Sequence, residues 1–291
     1  MFDFMIGLSR VVLPIFIFCT MANVGMTQEP KRIVQYWRDW PFCLKMLVAN
    51  FIAAPAVMWI LLKIWPLPVE YMAGLAVFSL CAGAPFLIKL TAVSEHDLAL
   101  GAATMVLLVL ATIVVVPLAL PLLVPALSVD GGAMAWTLAR QLLLPMIIGA
   151  LVASLLPGLN RRLQPWVAWI ANIALNVVLV STIVGYLPEM PAIIRSGALI
   201  LGLLFVLAAF GLGYLAGWGN DALEDIGGLA TAQRNTAAAM LIAVSSFTDP
   251  TVFVLITLVN TIAIALLIAI AKVLKGDNAR AAPLWLPPRL R

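Results

Sequence analysis

Two basic residues lie inside hydrophobic segments of this chain, where a charge is costly. Lys89 stands in CAGAPFLIKLTA and Arg234 in GGLATAQRNTAAAML, and neither stretch contains a carboxylate. A charge at the centre of a bilayer costs about 2.5–3.5 kcal/mol or more, so such residues usually line a substrate or ion pathway. Without an acidic partner, each cation favours an anionic ligand as its counterion. The pair therefore predicts a binding site for an organic anion.

The two cations differ in the chemistry that they can perform. Arginine stays protonated and can hold a carboxylate or sulfonate through two hydrogen bonds. The predicted substrate contacts around it are Thr231, Gln233, Arg234 and Asn235. Lys89 is a predicted substrate contact and also the predicted proton-coupling residue, because a buried lysine can lose its proton near neutral pH. Extension of its ammonium group to the membrane surface is the competing interpretation.

The other chemistry-bearing residues indicate neither a catalytic nor a metal site. The chain has one histidine and three cysteines at irregular spacing, which form no metal or disulfide pattern and read as packing residues: Cys19, Cys43 and Cys81. His96 lies in SEHD, which is typical of a solvated loop, and it is left out of the site. Asn172 and Asn176, four residues apart, face either a substrate cavity or a neighbouring helix. Acidic residues stand only at the ends of apolar segments, which argues against a membrane-embedded enzyme, and no cofactor is expected.

The composition is that of an integral membrane protein. Of the 291 residues, 64% are hydrophobic and 10% are charged, whereas a soluble domain carries about 25% charged residues. The apolar runs lack a period-two alternation, which favours helices over a transmembrane barrel. The lipid bilayer is the expected partner, and the modest net charge of +4 gives no support to nucleic-acid binding.

Nine apolar stretches near 20 residues long predict nine transmembrane helices. They cover approximately residues 8–27, 42–64, 70–91, 97–124, 134–156, 163–187, 192–217, 222–246 and 250–274. The short connections predict one transmembrane transporter domain, residues 1–275, followed by a cytoplasmic tail, residues 276–291. Basic residues concentrate on one side, which places the N-terminus outside and the C-terminus in the cytoplasm of a cell membrane. The short loops favour a bacterial inner membrane.

Two of these predicted spans are interrupted. The third contains Gly83 and Pro85 just before Lys89, and a proline inside a helix kinks or ends it. The eighth contains Gly227 and Gly228, followed by the polar run over residues 231–235. Interrupted helices in matching positions of two halves are typical of transporters built from inverted repeats, with the site at the membrane midplane. Spans one to four and six to nine are the predicted repeats, and kinks that serve only close packing are the alternative.

Five stretches, in this order, resemble the bile acid:sodium symporter family: FCTMANVGMT, ANFIAAPA, CAGAPFLIK, DLALGAATM and TAQRNTAAA. The resemblance implies an all-α membrane protein with a panel domain and a core domain. Two unwound helices cross in the core, and here these would be the third and eighth spans. Family members have ten helices, or nine when the first is absent, and this chain looks like the nine-helix form.

The sodium sites of that family are largely replaced in this chain. Family side chains that bring oxygen ligands fall here on residues without a side-chain oxygen: Leu87, Ile88, Gly101, Met105 and Ala230. A family Gln falls on Arg234, whereas Asn235 and Asn50, the latter in place of another Gln, keep carbonyl oxygens, which adds Asn50 to the predicted site. Hard cations need several oxygen ligands, so sodium coupling in the family manner is not expected. Fixed cations are expected to take over the electrostatic work of the bound ion.

The predicted function is secondary active or facilitated transport of a small organic anion by alternating access. No nucleotide-binding motif is present, so ATP is not the energy source within this chain, and proton symport, exchange and uniport are all open. Two alternatives remain open at this point: a sodium-coupled symporter with rearranged ligands, and a non-transport protein such as a channel or sensor. Saturable uptake with counter-flow distinguishes a carrier from a channel.

Overall fold

The computed structural model describes residues 2–123, 130–247 and 249–274, and every regular element within them is helical. The α-helices are α1 Phe2–Thr27, α2 Pro30–Tyr36, α3 Trp40–Val48, α4 Ala54–Ile64, α5 Val69–Leu80, α6 Leu87–Val93, α7 Leu98–Leu123, α8 Gly131–Leu138, α9 Leu144–Leu155, α10 Pro157–Gly185, α11 Met190–Ser196, α12 Ala198–Ala216, α13 Asp221–Ala232, α14 Thr236–Ser246 and α15 Pro250–Val273. Two π-helical segments, Ala49–Ala53 and Ala139–Leu143, join α3 to α4 and α8 to α9. The predicted tail, residues 276–291, lies outside the described residues.

Among the described residues, seven helical segments are long and apolar enough to cross a membrane. They are Phe2–Thr27, Trp40–Ile64, Leu98–Pro121, Gly131–Leu155, Pro157–Gly185, Ala198–Ala216 and Pro250–Val273. These coincide with seven of the predicted spans, so the prediction of an all-helical, multi-pass membrane protein is confirmed. The third and eighth predicted spans are each divided into two shorter helices, α5 with α6 and α13 with α14.

The third predicted span is interrupted where the sequence indicates. At Cys81 the backbone becomes extended, with ψ 104°, and ends α5. Gly83 then takes a φ of 79°, a left-handed conformation that glycine adopts without steric cost. Pro85 has no N–H to continue a helical ladder, and α6 starts two residues later. The chain therefore crosses this region as two half-helices with an extended segment between them.

The eighth predicted span is interrupted at its polar residues and not at its glycine pair. Gly227 and Gly228 both lie within α13. The helix ends at Gln233, where the backbone is extended, and Asn235 starts α14 by accepting a hydrogen bond from the N–H of Ala238 at 3.1 Å. A side-chain acceptor at the N-cap replaces the missing helical partner, so the polar residues determine where this break occurs.

The helices form two packed groups. In the first group α1 packs along α9 and α10, and in the second α5, α6, α7, α12, α13, α14 and α15 contact one another. Glycines bring backbones together inside each group. A Cβ atom on Gly149 of α9 would lie 2.2 Å from the carbonyl oxygen of Ala22 in α1. A Cβ atom on Gly213 of α12 would lie 2.0 Å from the carbonyl oxygen of Gly227 in α13, so at both places main chain rests directly on main chain.

Candidate functional site

The two helix interruptions meet at a crossing, formed by residues 81–83 and 233–235, where they satisfy each other's backbone groups. The N–H of Asn235 donates to the carbonyl oxygen of Cys81 at 2.9 Å, and its side-chain Nδ2 donates to that of Gly83 at 3.0 Å. On the other side, Thr112 of α7 accepts from the N–H of Ala82 at 3.1 Å and donates to the Ala82 carbonyl at 3.0 Å. Irregular backbone at membrane depth is tolerated where protein groups satisfy it in this way.

Each break also releases carbonyl oxygens from the end of a helix. In an α-helix the carbonyl of one residue accepts from the N–H four residues later. For Phe78 and Thr231 those donors are Ala82 and Asn235, whose N–H groups are already engaged in the contacts at the crossing. The carbonyl of Ser79, also in the last turn of α5, would need a donor beyond the end of the helix. Three carbonyl oxygens at two helix C-termini must therefore accept hydrogen bonds from groups outside their own helices.

A fourth carbonyl oxygen comes from the π-helical segment between α3 and α4. Here the N–H of Ala54 donates to the carbonyl of Ala49, five residues earlier. The equivalent partner for Asn50 would be residue 55, which is a proline and has no N–H. The carbonyl of Asn50 is thus free within its own helix, and π-helical turns of this kind occur frequently at functional sites.

The side chain of Arg234 donates hydrogen bonds to these four carbonyl oxygens and to one side-chain oxygen. Its Nε donates to the carbonyl of Phe78 at 3.3 Å, and its Nη1 donates to Asn50 Oδ1 at 2.8 Å and to the Thr231 carbonyl at 3.0 Å. Its Nη2 donates to the carbonyl of Asn50 at 3.4 Å and to that of Ser79. A guanidinium group carries five N–H donors, and all five are used.

The environment of the Arg234 guanidinium is fully enclosed and made of neutral groups. Its side chain is 0% exposed, and in the described part of the chain it forms no ion pair. The guanidinium carbon lies 5.8 Å from the centroid of the Phe205 ring, within cation–π range. Carbonyls at helix C-termini carry negative partial charge and stabilise a cation. An anionic ligand was the predicted counterion of this charge, whereas here helix ends and an aromatic ring surround it and no donor remains for a ligand.

A cavity of about 520 Å³ lies beside this crossing, between α1 and α10 on one side and the interrupted helices on the other. Small-molecule sites usually have volumes of about 300–1,000 Å³. Its wall is mostly apolar, with a few polar side chains that include Asn23, Lys89, Asn172, Gln233, Thr236 and Asn260. The cavity extends to the end of the molecule where Gln28, Glu29 and Arg32 lie, which is its mouth.

Lys89 is the basic residue whose charged group faces the cavity. Its side chain is exposed, and its Nζ donates to Asn172 Oδ1 at 2.6 Å. The ammonium group also lies 5.6 Å from the centroid of the Phe86 ring. Asn176, one turn further along α10, donates from its Nδ2 to the carbonyl of Asn172 at 2.9 Å. Lys89 therefore reaches from α6 to α10 at the wall of the cavity.

The six predicted site residues occupy two layers. Lys89, Gln233 and Arg234 border the cavity, although Arg234 exposes none of its surface to it. The other three lie behind the wall, fully buried, and hold the crossing together: Asn50, Thr231 and Asn235. In this second layer, Asn50 Nδ2 donates to Thr231 Oγ1 at 3.0 Å. Asn172 and Asn260 join the first layer from α10 and α15.

One acceptor atom of the Gln233 side chain has no hydrogen-bond donor in the part of the chain that the structure describes. Its side chain is 2% exposed, and its Nε2 donates to Asn260 Oδ1 at 3.3 Å. Its Oε1 is buried without a hydrogen-bond partner among the described residues. A buried acceptor without a donor is destabilising, so Gln233 Oε1 is an unsatisfied group in this arrangement of the helices.

His96 lies in the predicted loop, between α6 and α7, but it is buried, so the prediction that it is solvated is wrong. It is 5% exposed, its Nε2 lies 3.3 Å from Asp225 Oδ2, and its Nδ1 lies 3.1 Å from Ser94 Oγ. The connection between α6 and α7 packs onto α13, which covers the imidazole. His96 does not border the cavity, so its omission from the predicted site agrees with its position.

The mouth of the cavity is held by a cluster around Asp97, at the start of α7. Arg32 Nη2 lies 3.0 Å from Asp97 Oδ2, and the Tyr36 hydroxyl donates to the same oxygen at 2.5 Å. Burial, and then the hydrogen bond to Asp97, raise the pKa of the Tyr36 phenol, so it stays a donor. The cluster ties α2, which follows α1, to the second group of helices.

Comparison with known families decides the class of this protein. The Sodium Bile acid symporter family matches residues 14–188, which is well over half of the chain. The chain belongs to the Sodium Bile acid symporter family. This confirms the resemblance seen in the sequence, and members of the family are membrane transporters. The matched region includes Lys89, Asn50 and Asn172, whereas Gln233, Arg234 and Asn235 lie beyond it. No curated protein matches the chain.

The name of this symporter family implies sodium as a transported ion, and the residues present here do not fit it. Leu87, Met105 and Ala230 are buried and have no side-chain oxygen. At Gly101 the missing side chain leaves room that Thr91 fills, because a Cβ there would lie 2.2 Å from Thr91 Oγ1. Sodium takes several oxygen ligands, as other hard cations do. The positions that the resemblance assigns to sodium are therefore closed by packing.

Proposed function

We propose that this protein is a carrier for small organic anions that works by alternating access. The observation that supports it most directly is the ammonium group of Lys89, which stands in a cavity of about 520 Å³ between two packed groups of helices. A cation in an otherwise apolar cavity at membrane depth favours an anionic ligand, because a ligand charge offsets the cost of desolvation. The family of transporters to which the chain belongs is consistent with this function.

The anionic group of the substrate binds at Lys89 in this proposal. Asn172 supplies a neutral amide beside the ammonium, and the first turn of α14, at Thr236 and Ala237, borders the same cavity. A helix N-terminus carries positive partial charge, which adds to the attraction for an anion. Arg234 contributes a fixed positive charge from behind the wall.

The mechanism uses the two groups of helices as the moving parts. The first group, with α1, α9 and α10, corresponds to the panel domain that the resemblance implies, and the second, with both interrupted helices, corresponds to the core. In this proposal the chain crosses the membrane nine times as two inverted repeats, with the N-terminus outside and the C-terminus in the cytoplasm. The mouth near Arg32 then faces the cytoplasm, and movement of the core against the panel opens the cavity to the other side.

Lys89 is also the proposed proton-coupling residue. It is the titratable group inside the cavity, whereas Glu29 and Arg32 stand at the mouth. An ammonium group that holds the anion and releases its proton on one side would move both together. This places substrate binding and proton binding on the same side chain.

A screen followed by a transport assay tests the proposal. Purified protein is mixed with short-chain, aromatic and sterol carboxylates and sulfonates, and the melting temperature identifies the anion that stabilises it. That anion is then measured for uptake into proteoliposomes. We expect saturable uptake that shows counter-flow and is unchanged when K⁺ replaces Na⁺. Uptake that does not saturate would indicate a channel, steep dependence on Na⁺ a sodium symporter with rearranged ligands, and absence of any stabilising anion would reject the proposal.

A further inference from the structure

We propose that the guanidinium group of Arg234 is a tethered replacement for a monovalent cation at the crossing, where residues 81–83 and 233–235 of the two interrupted helices meet. In this view the crossing contains a cation site that is always occupied, because its cation is part of the chain. The inference deepens the proposed function, since it assigns the ion requirement of the carrier. It concerns binding at the crossing and not the identity of the transported anion.

The oxygens around Arg234 form a ligand set of the kind that a hard cation takes. Four are main-chain carbonyls and one is the amide oxygen Asn50 Oδ1. They come from three separate segments, the ends of α5 and α13 and the π-helical turn that contains Asn50. Main-chain and amide carbonyls are common ligands of hard cations in proteins. The chain thus builds an all-oxygen cage and fills it with its own positive charge.

A neutral side chain could not hold this arrangement. Five oxygen atoms accept hydrogen bonds from this one side chain, and a glutamine amide has two N–H donors, whereas a guanidinium group has five. Carbonyl oxygens left without a donor in a buried site are destabilising. The Phe205 ring, 5.8 Å from the guanidinium carbon, adds a surface that attracts positive charge. Charge and donor number together explain why a cation is required at this position.

The tether determines what this cation can do in a transport cycle. A bound ion contributes free energy to transport only if it binds on one side and leaves on the other. Arg234 is covalently attached, is 0% exposed and stays protonated, so it cannot leave the cage. The crossing therefore needs no dissolved Na⁺ to assemble, and no ion gradient drives transport through this position.

The experiment empties the cage and refills it with the missing group. In Arg234→Ala the guanidinium is removed, and free guanidinium chloride at millimolar concentration is the probe. Urea, which has a similar planar shape and no charge, is the matched control. Arg195→Ala, which removes an exposed arginine of α11, is the control variant. The melting temperature of the full-length protein is measured in Na⁺, K⁺ and choline buffers.

We expect three results. The wild-type melting temperature is the same in Na⁺, K⁺ and choline to within about 1 °C, and that of Arg234→Ala is lower by more than about 5 °C. Guanidinium raises the melting temperature of Arg234→Ala in a saturable manner, and urea does not. Guanidinium leaves the wild type and Arg195→Ala unchanged. Equal effects of guanidinium and urea, or a wild-type protein that Na⁺ stabilises over K⁺, would overturn the inference.

A second pair of variants applies if Arg234→Ala does not fold. Arg234→Lys keeps the positive charge with fewer donors, and Arg234→Met keeps the length without the charge. The inference predicts more folded protein and a higher melting temperature for Arg234→Lys, and equal values for the two contradict it. The wild-type comparison in Na⁺ and K⁺ is informative in either case. Saturable anion uptake by the wild type that requires Na⁺ would overturn this inference and leave the proposed carrier function intact.

Discussion

Lys89 donates a hydrogen bond from Nζ to Oδ1 of Asn172 across 2.6 Å, and this contact joins α6 to α10 across the cavity. The two residues belong to the two different groups of helices. Any movement of one group against the other must change this distance. An anionic substrate would compete with the Asn172 oxygen for the same ammonium group, so substrate binding and release of the two groups are linked at this residue.

Lys89→Gln should weaken binding of the stabilising anion by at least about tenfold, because a hydrogen bond to a charged group contributes about 1.5–3 kcal/mol. The dissociation constant from a thermal-shift titration measures the effect. The matched control is Lys63→Gln. Lys63 is also exposed and lies 5.5 Å from the Trp59 ring centroid, away from the cavity. Equal affinities of the Lys89 variant and the wild type would remove Lys89 from the site.

The dependence of transport on pH should also change in Lys89→Gln. In the wild type, anion binding weakens at alkaline pH as the ammonium group loses its proton, since the neutral amine no longer attracts the anion. Glutamine does not titrate, so the variant should show a flat profile over the same range. Initial uptake rates into proteoliposomes at a series of pH values test this. A variant with the wild-type profile would exclude Lys89 from proton coupling.

Gly213→Ala should destabilise the protein by about 1–3 kcal/mol, as expected for overpacking. The added Cβ would lie 2.0 Å from the carbonyl oxygen of Gly227, so α12 and α13 must separate. Gly211→Ala on the same helix is the control, because no atom lies within 4 Å of its Cβ position. The melting temperature should fall in the first variant and stay the same or rise slightly in the second. A loss of the same size in both would contradict the close helix contact.

Asn235→Ala should lower the melting temperature more than Asn220→Ala. Both residues cap a helix: Asn235 accepts from Ala238 of α14 at 3.1 Å, and Asn220 accepts from Leu223 of α13 at 3.2 Å. Loss of a cap costs about 1 kcal/mol. Asn235 in addition donates to the carbonyl of Gly83 at the crossing, at 3.0 Å, and that buried acceptor would lose its partner. Similar losses in both variants would show that the second hydrogen bond contributes little.

The sequence predicted the positions of the two unusual cations better than their surroundings. Lys89 and Arg234 were assigned to interrupted helices from nearby proline, glycine and polar residues, and both helices are interrupted. The partners of Arg234 could not be predicted, because Phe78 lies 156 residues away and its carbonyl is available only once α5 has ended. The absence of an acidic residue was read as a need for an anion. In the structure, released carbonyl oxygens meet that need.

The burial of His96 differs from the prediction for a similar reason. His96 was placed in a loop from its neighbours in SEHD, and it is buried because that loop packs onto α13, a contact between distant segments. The third and eighth spans were counted as single apolar stretches. Hydrophobicity continues through both breaks, so the two interruptions were predicted from proline, glycine and polar residues and not from composition.

The glycine contacts within each group restrict how the molecule can deform. Where the main chain of α12 rests on that of α13, and α9 on α1, no layer of side chains is available to yield under shear. Each pair is consequently stiff and should be displaced as one body. The Lys89–Asn172 contact is made through the long lysine side chain, whose rotatable bonds tolerate displacement. The flexible part of the molecule is therefore the contact along the cavity. A ligand bound there would contact both stiff bodies at once, so its affinity would depend on the distance between them.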